Sequence, residues 1–139
     1  MTLVVRRALL TVLLLTALWL GIWAYAMPRS WYDTFPGFGL RWVAATGPYN
    51  EHFVKDIGGM YLALAVLTAG ALMYAARGAR VRVTATAWTV FNVLHLGYHV
   101  TALQMYDGRD KVLVVASLVI VTLVSVALLL PVSRKPSGG

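Results

Sequence analysis

The sequence predicts an all-α integral membrane protein: a bundle of four transmembrane helices with an aromatic-rich extracytoplasmic loop between the first and second. Three observations carry that expectation. The 139 residues are 60% hydrophobic and only 12% charged, too few charges for a soluble domain of this size to cover its apolar surface. The apolar residues are gathered into four runs free of Asp, Glu, Lys and Arg, at residues 8–27, 57–76, 83–106 and 112–130. At 1.5 Å per residue each run reaches roughly the 30 Å of a hydrocarbon core. The charges between the runs are also sorted by side. One side of such a bundle carries Arg6, Arg7, Arg77, Arg80, Arg82, Arg134 and Lys135 with no acid. The other carries Arg29, Arg41, Lys55, Arg109 and Lys111 with all the acids, Asp33, Glu51, Asp56, Asp107 and Asp110.

The positive-inside rule then places both termini in the cytoplasm, in a multi-pass membrane protein. The net charge of +7 reads as an orientation signal. It forms no basic stripe or nucleic-acid module, so nucleic acid is not an expected partner. The bilayer is, with anionic lipid adding to the attraction. Cysteine is absent, which excludes disulfides, thiolate metal sites and cysteine nucleophiles.

Taken in order, the first run follows MTLVVRR and ends in Ala24-Tyr25-Ala26, the outline of a cleavable signal peptide. Its length of about 20 residues and its Trp19 and Trp23 favour a retained anchor. The outer loop, residues 28–56, is longer than a connector needs. Of the chain's five Trp, seven Tyr and four Phe, it holds Trp31, Tyr32, Phe35, Phe38, Trp42, Tyr49 and Phe53. An interfacial aromatic belt explains these residues. A lid over the outer mouth, formed by Trp31, Tyr32, Phe35, Phe38 and Trp42 and broken at Pro36, Gly37 and Gly39, is compatible with it. Thr46-Gly47-Pro48 reads as a helix start, with Glu51 in the first turns where the helix dipole favours a carboxylate. Short connections at residues 77–82 and 107–111 force the last three runs into successive antiparallel hairpins. The tail, residues 131–139, is polar and rich in Pro and Gly, a composition that favours disorder.

The residues that point to function lie in the third run. Asn92, His95 and His99 fall on one helical stripe with Trp88 and Tyr106. Polar and ionisable groups inside a span are expensive and mark function by default. On the second run, His52, Asp56, Gly59, Ala63, Val66 and Gly70 share a face of mostly small residues, the composition that lets membrane helices approach. A polar cleft between the second and third helices follows, gathering Glu51, His52, Asp56, Asn92, His95 and His99. Counted from Tyr106, His99 lies about 10 Å below the outer boundary and His95 about 16 Å, so Asp56 reaches His99 more readily than His95.

Four roles remain open for this cleft. Asn and His can bond between helices, a structural role. The cleft can hold a lipid or small apolar ligand, or dock a larger membrane complex. His95 and His99, at i and i+4, can share a metal with His52 or an acid as further ligand, or a haem can take His52 with His99. A carboxylate beside an imidazole can relay protons, as an isomerase acting on a membrane-dissolved substrate would need. G-x-S-x-G, H-E-x-x-H, P-loop and Rossmann patterns are absent, and no cofactor is predicted.

The run WYDTFPGFGLRWVAATGPYNEHFVKDIGGMYLALAVL, followed by HLGYH, resembles small four-helix membrane proteins of actinobacteria and is loosely similar to DoxX-like membrane proteins. The resemblance covers about Trp31 to His99, and GPYNEH…KD…G is its most specific part. It implies a four-helix membrane bundle and carries no activity or catalytic residue. The expected function is therefore non-enzymatic, a lipid- or ligand-binding or accessory subunit. A membrane enzyme or metal or haem protein using His52, Asp56, His95 and His99 is the alternative.

Overall fold

A computed structural model describes residues 1–132. Arg134, Lys135 and most of the tail lie outside the described residues. Five α-helices and two 3-10 turns make up the ordered elements: α1 (Leu3–Ala26), α2 (Pro28–Thr34), a turn at Ala44–Thr46, α3 (Glu51–Met73), α4 (Gly78–Thr101), a turn at Leu103–Met105 and α5 (Gly108–Ala127). No strand occurs among the described residues.

Three helices, α1, α3 and α5, are long and apolar enough to cross a membrane. The expectation of four equivalent runs is refined at α4. With 24 residues α4 is as long as α1, but it includes Arg80, Arg82, Thr84, Thr86, Thr89, Asn92, His95 and His99 and falls outside the apolar group. The charge-free run at residues 83–106 and the helix also differ in register. The helix starts five residues earlier, at Gly78, and stops at Thr101, where the 3-10 turn takes over.

Local chemistry sets the helix starts. The Thr2 side chain accepts from Val5 N at 3.2 Å, which caps α1 and carries its first turn back across Arg6 and Arg7. Pro28 opens α2 at a position where its missing N–H costs nothing. The cap expected at Thr46 or Gly47 lies instead at Asn50, whose Oδ1 accepts from Phe53 N at 3.3 Å. Thr46 donates its hydroxyl to Val43 O at 2.8 Å and so belongs to the preceding turn. Glu51 is the first residue of α3, in the favourable dipole position expected for it.

The packing is antiparallel in sequence. Gly21 faces Leu62, Gly58 faces the backbone of Tyr25, and Arg6 reaches Ala75 O, so α1 and α3 run past each other along their whole length. Tyr61 meets Phe91 edge to face at 5.5 Å between ring centroids, and Trp88 Nε1 donates to Thr68 Oγ1 at 2.9 Å, joining α3 to α4. Asn92 reaches α5. Arg6 also reaches Leu130 O, and the Met1 ammonium donates to Pro131 O, which brings the start of α1 beside the end of α5. The core lies among these helices, with fully buried Trp88, Leu10, Leu13, Val81 and Leu128 at its centre.

The small-residue face predicted for the α3–α4 contact points elsewhere. Ala63 and Val66 are exposed, and a Cβ at Gly59 or Gly70 would meet nothing within 4 Å. The close approach is made one residue away, by Gly58, where an added Cβ would lie 2.6 Å from Tyr25 N. That neighbour is backbone of another helix and cannot rotate aside. Gly58→Ala should therefore destabilise the protein by about 1–3 kcal/mol, the usual cost of overpacking. Gly59→Ala should leave stability unchanged or raise it by up to about 1 kcal/mol through helix propensity. Thermal unfolding of the two variants in detergent distinguishes these outcomes.

Candidate functional site

The residues of the predicted cleft separate into two groups. At the start of α3, side chains pair along their own helix. Lys55 Nζ lies 2.9 Å from Glu51 Oε1 and His52 Nε2 lies 3.3 Å from Asp56 Oδ2. Both pairs have i,i+4 spacing, at which helix geometry alone brings side chains together. His52 and Asp56 are exposed, at 79% and 61% of their side-chain surfaces, so they look outward rather than across to α4. Exposed pairs of this kind contribute little to stability.

The α4 stripe divides between its neighbours, with Trp88 bonded to α3 and Asn92 to α5. Asn92 is 3% exposed, and its Nδ2 donates to Val121 O and Ser125 Oγ, both at 3.4 Å. Its partners are thus on α5, and neither His95 one turn away nor the small face of α3 receives it. His95 stacks on Phe91, with ring centroids at 5.2 Å, and meets His99 edge to face at 4.6 Å. His99 Nδ1 and Tyr106 Oη share a hydrogen bond of 2.9 Å, closing the stripe against the turn that follows α4. The two imidazoles are therefore adjacent, as their spacing predicted. Among the described residues, no three His, Asp or Glu side chains gather closely enough to hold a metal.

The aromatic loop is structured and packs on α1. Trp31 is buried with Ala24 and Val54. Phe35 is surrounded by Trp19, Trp23, Trp31 and Trp42, with centroid distances of 5.4 to 6.2 Å. Tyr32 packs edge to face on Tyr49 and donates to Gly47 O. Of the five residues expected in a lid, four thus form a cluster on the C-terminal end of α1, reaching α3 through Val54. The loop is pinned by ions as well. Asp33 accepts from Arg29 Nε at 2.7 Å and lies 3.6 Å from Arg41 Nη2, while Arg41 Nε donates to Asp33 O. The Arg29 guanidinium sits 4.9 Å from the Tyr49 ring centre, a cation–π contact.

Phe38 is the exception. It is 97% exposed on a turn in which Gly37, Phe38 and Gly39 all have positive φ, 97°, 56° and 78°. Glycine adopts this region freely, whereas a phenylalanine there is an outlier. The turn is held by Gly37 N donating to Thr34 O, Leu40 N to Gly37 O and Trp42 N to Phe35 O. Beside it opens a cleft of about 520 Å³ lined by Arg29, Asp33, Phe38, Leu40 and Arg41 among others.

Two polar connections were not anticipated from sequence. Thr68 accepts from Trp88 Nε1 and donates to Leu64 O at 2.6 Å. Arg6, read as an orientation charge, is 3% exposed. A signal for its burial is present: Arg6 falls in phase with Leu10, Leu13, Ala17, Leu20 and Ala24, the buried stripe of α1.

The chain matches no protein-family model, no curated protein and no solved structure.

The two groups should respond differently to substitution. Asn92→Val removes both bonds to α5 and should cost about 0.6–2 kcal/mol, the range for interhelical polar contacts in membranes. His52→Gln and Asp56→Asn, on the exposed surface, should leave the melting temperature in detergent unchanged. Circular dichroism melts of the three variants check both expectations.

Proposed function

We propose that the chain is a four-span bacterial plasma-membrane protein with both termini cytoplasmic, acting as a non-enzymatic accessory subunit that docks another membrane component through its outer aromatic head. The α4 helix completes the bundle as the fourth span. Its polar side chains bond to both neighbouring helices, Thr84 and Trp88 to α3 and Asn92 to α5, and its length of 24 residues corresponds to about 36 Å. The orientation rests on charge. Arg6, Arg7, Arg77, Arg80 and Arg82 share one end, and every side-chain carboxylate belongs to the other.

The observation that carries the docking role is Phe38. A large apolar side chain almost fully exposed is held in an unfavourable backbone conformation by a braced turn, a strain that no contact among the described residues offsets. Contact with a partner would bury the ring, and an aromatic anchor is the residue type that dominates such contacts. The adjoining Arg29–Asp33–Arg41 cluster supplies a polar rim. By contrast, the His and acidic side chains singled out from sequence pair within their own helices or against neighbours in the fold.

Phe38→Asn tests this directly, because Asn tolerates positive φ and preserves the turn. The full chain carrying Phe38→Asn should melt like the parent in detergent yet separate from the larger assembly on native electrophoresis of gently solubilised membranes. An assembly of unchanged size in the variant would overturn the docking role. A Soret band or stoichiometric metal in the purified protein would replace it with a haem or metal centre built on His52, His95 or His99.

A further inference from the structure

At the opposite end of the molecule, a cleft of about 270 Å³ opens between the start of α1, the α3–α4 connection and the segment after α5. It is lined by Leu3, Arg6, Ala76, Gly78, Arg82, Pro131 and Val132. Two guanidinium groups meet there with no acid among the described residues to neutralise them. All the salt bridges among the described residues lie at the other end, and so do all five Asp and Glu side chains of the whole chain.

Arg6 is partly satisfied. Its Nη1 donates to Ala75 O at 3.2 Å and its Nη2 to Leu130 O at 3.1 Å, carbonyls at the ends of α3 and α5 that carry partial negative charge. Its Nε is buried and has no hydrogen-bond partner among the described residues, although a buried donor left unmatched is costly. The same cleft receives the N-terminus of α4. Arg77 at the cap position makes no side-chain bond to the helix, and the first turn holds no acid. The dipole and the open N–H groups at Gly78 and beyond therefore favour an anion. Arg82, on the next turn of α4, is exposed and brings its guanidinium over Gly78, with Nη1 3.5 Å from the position a Cβ would take there.

We infer that this cleft is a binding site for a phosphate-bearing anion, specifically the headgroup phosphate of an anionic membrane lipid in the cytoplasmic leaflet. A guanidinium pair and an uncapped helix start match phosphate oxygens in charge and hydrogen-bonding direction. The position selects the lipid. The cleft lies at the ends of three helices long enough to cross a bilayer, at headgroup depth, and its walls include the apolar Leu3, Pro131 and Val132. Basic pockets between helices on the cytoplasmic side bind acidic headgroups for the same reason. The leaflet assignment rests on the orientation proposed above; the site itself is independent of the docking role of Phe38.

The test uses delipidated full-length protein in detergent, with native mass spectrometry and thermal melting as readouts. Phosphatidylglycerol, phosphatidylcholine and inorganic phosphate are titrated separately. Phosphatidylglycerol should bind with one tight equivalent and raise the melting temperature, while phosphatidylcholine should do neither. Arg6→Gln also breaks the bonds to α3 and α5 and can fail to fold, so Arg82→Gln is the informative variant. It should weaken phosphatidylglycerol binding at least about fivefold. Arg7→Gln, exposed at the same end but outside the cleft, should leave that binding unchanged. Equal affinity in the parent and Arg82→Gln, or equal weakening by Arg7→Gln, would overturn the site in favour of diffuse surface charge. Preferential binding of inorganic phosphate would overturn the lipid as its source.

Discussion

The contact between α1 and α3 is the constraint on which the rest of the structure depends. Gly21 and Gly58 leave out the Cβ atoms that would otherwise collide with Leu62 and Tyr25, and the two helices close to backbone contact in the halves nearer the aromatic loop. In a lipid environment no hydrophobic force draws helices together, so dispersion contacts at such close approach carry the association. Both ends of the molecule follow from it. At the end that carries the loop, Val54 is brought beneath Ala24 and Trp31, forming the floor of the aromatic cluster. At the opposite end, Ala75 O comes within reach of Arg6.

The remaining helices are tied in by a few polar links, each joining two elements. Trp88 to Thr68 connects α4 with α3, Asn92 to Ser125 connects α4 with α5, and Arg6 to Leu130 connects α5 with α1. Each polar group is buried or nearly so, and each has a partner that a low-dielectric setting makes necessary. The less apolar composition of α4 is explained by this arrangement. Its polar side chains connect the two helices on either side of it, while Val81, Ala85 and Trp88 fill the core and Leu94 and Val83 face outward.

The two ends of the molecule differ in chemistry. The end that carries the loop is aromatic and charge-balanced, with Asp33 held between Arg29 and Arg41 and one ring left uncovered. The opposite end is cationic without a compensating acid among the described residues, and its arginines converge on a helix start.

The helical class, the positions of the apolar runs and the asymmetry of charge were legible in the sequence, because periodicity, run length and the residues at run ends are local properties. So was the adjacency of His95 and His99, whereas Glu51, His52 and Asp56, expected to face α4, pair along their own helix. Which helix faces which was not. Gly59 and Gly70 look as suitable for a close contact as Gly58, and one residue rotates a helix by about 100°, enough to send the small face outward and the neighbouring glycine into α1. Asn92 could equally have bonded to α3, and only the rotation of α4 set by Trp88 in the core directs it to Ser125. Arg6 was visible as a charge, but its role as a link to α3 and α5 depends on two helix ends far away in the chain. Local pattern determined the elements and their orientation signals; the tertiary structure decided the partners, because packing between helices is settled by shape at contacts that no single segment contains.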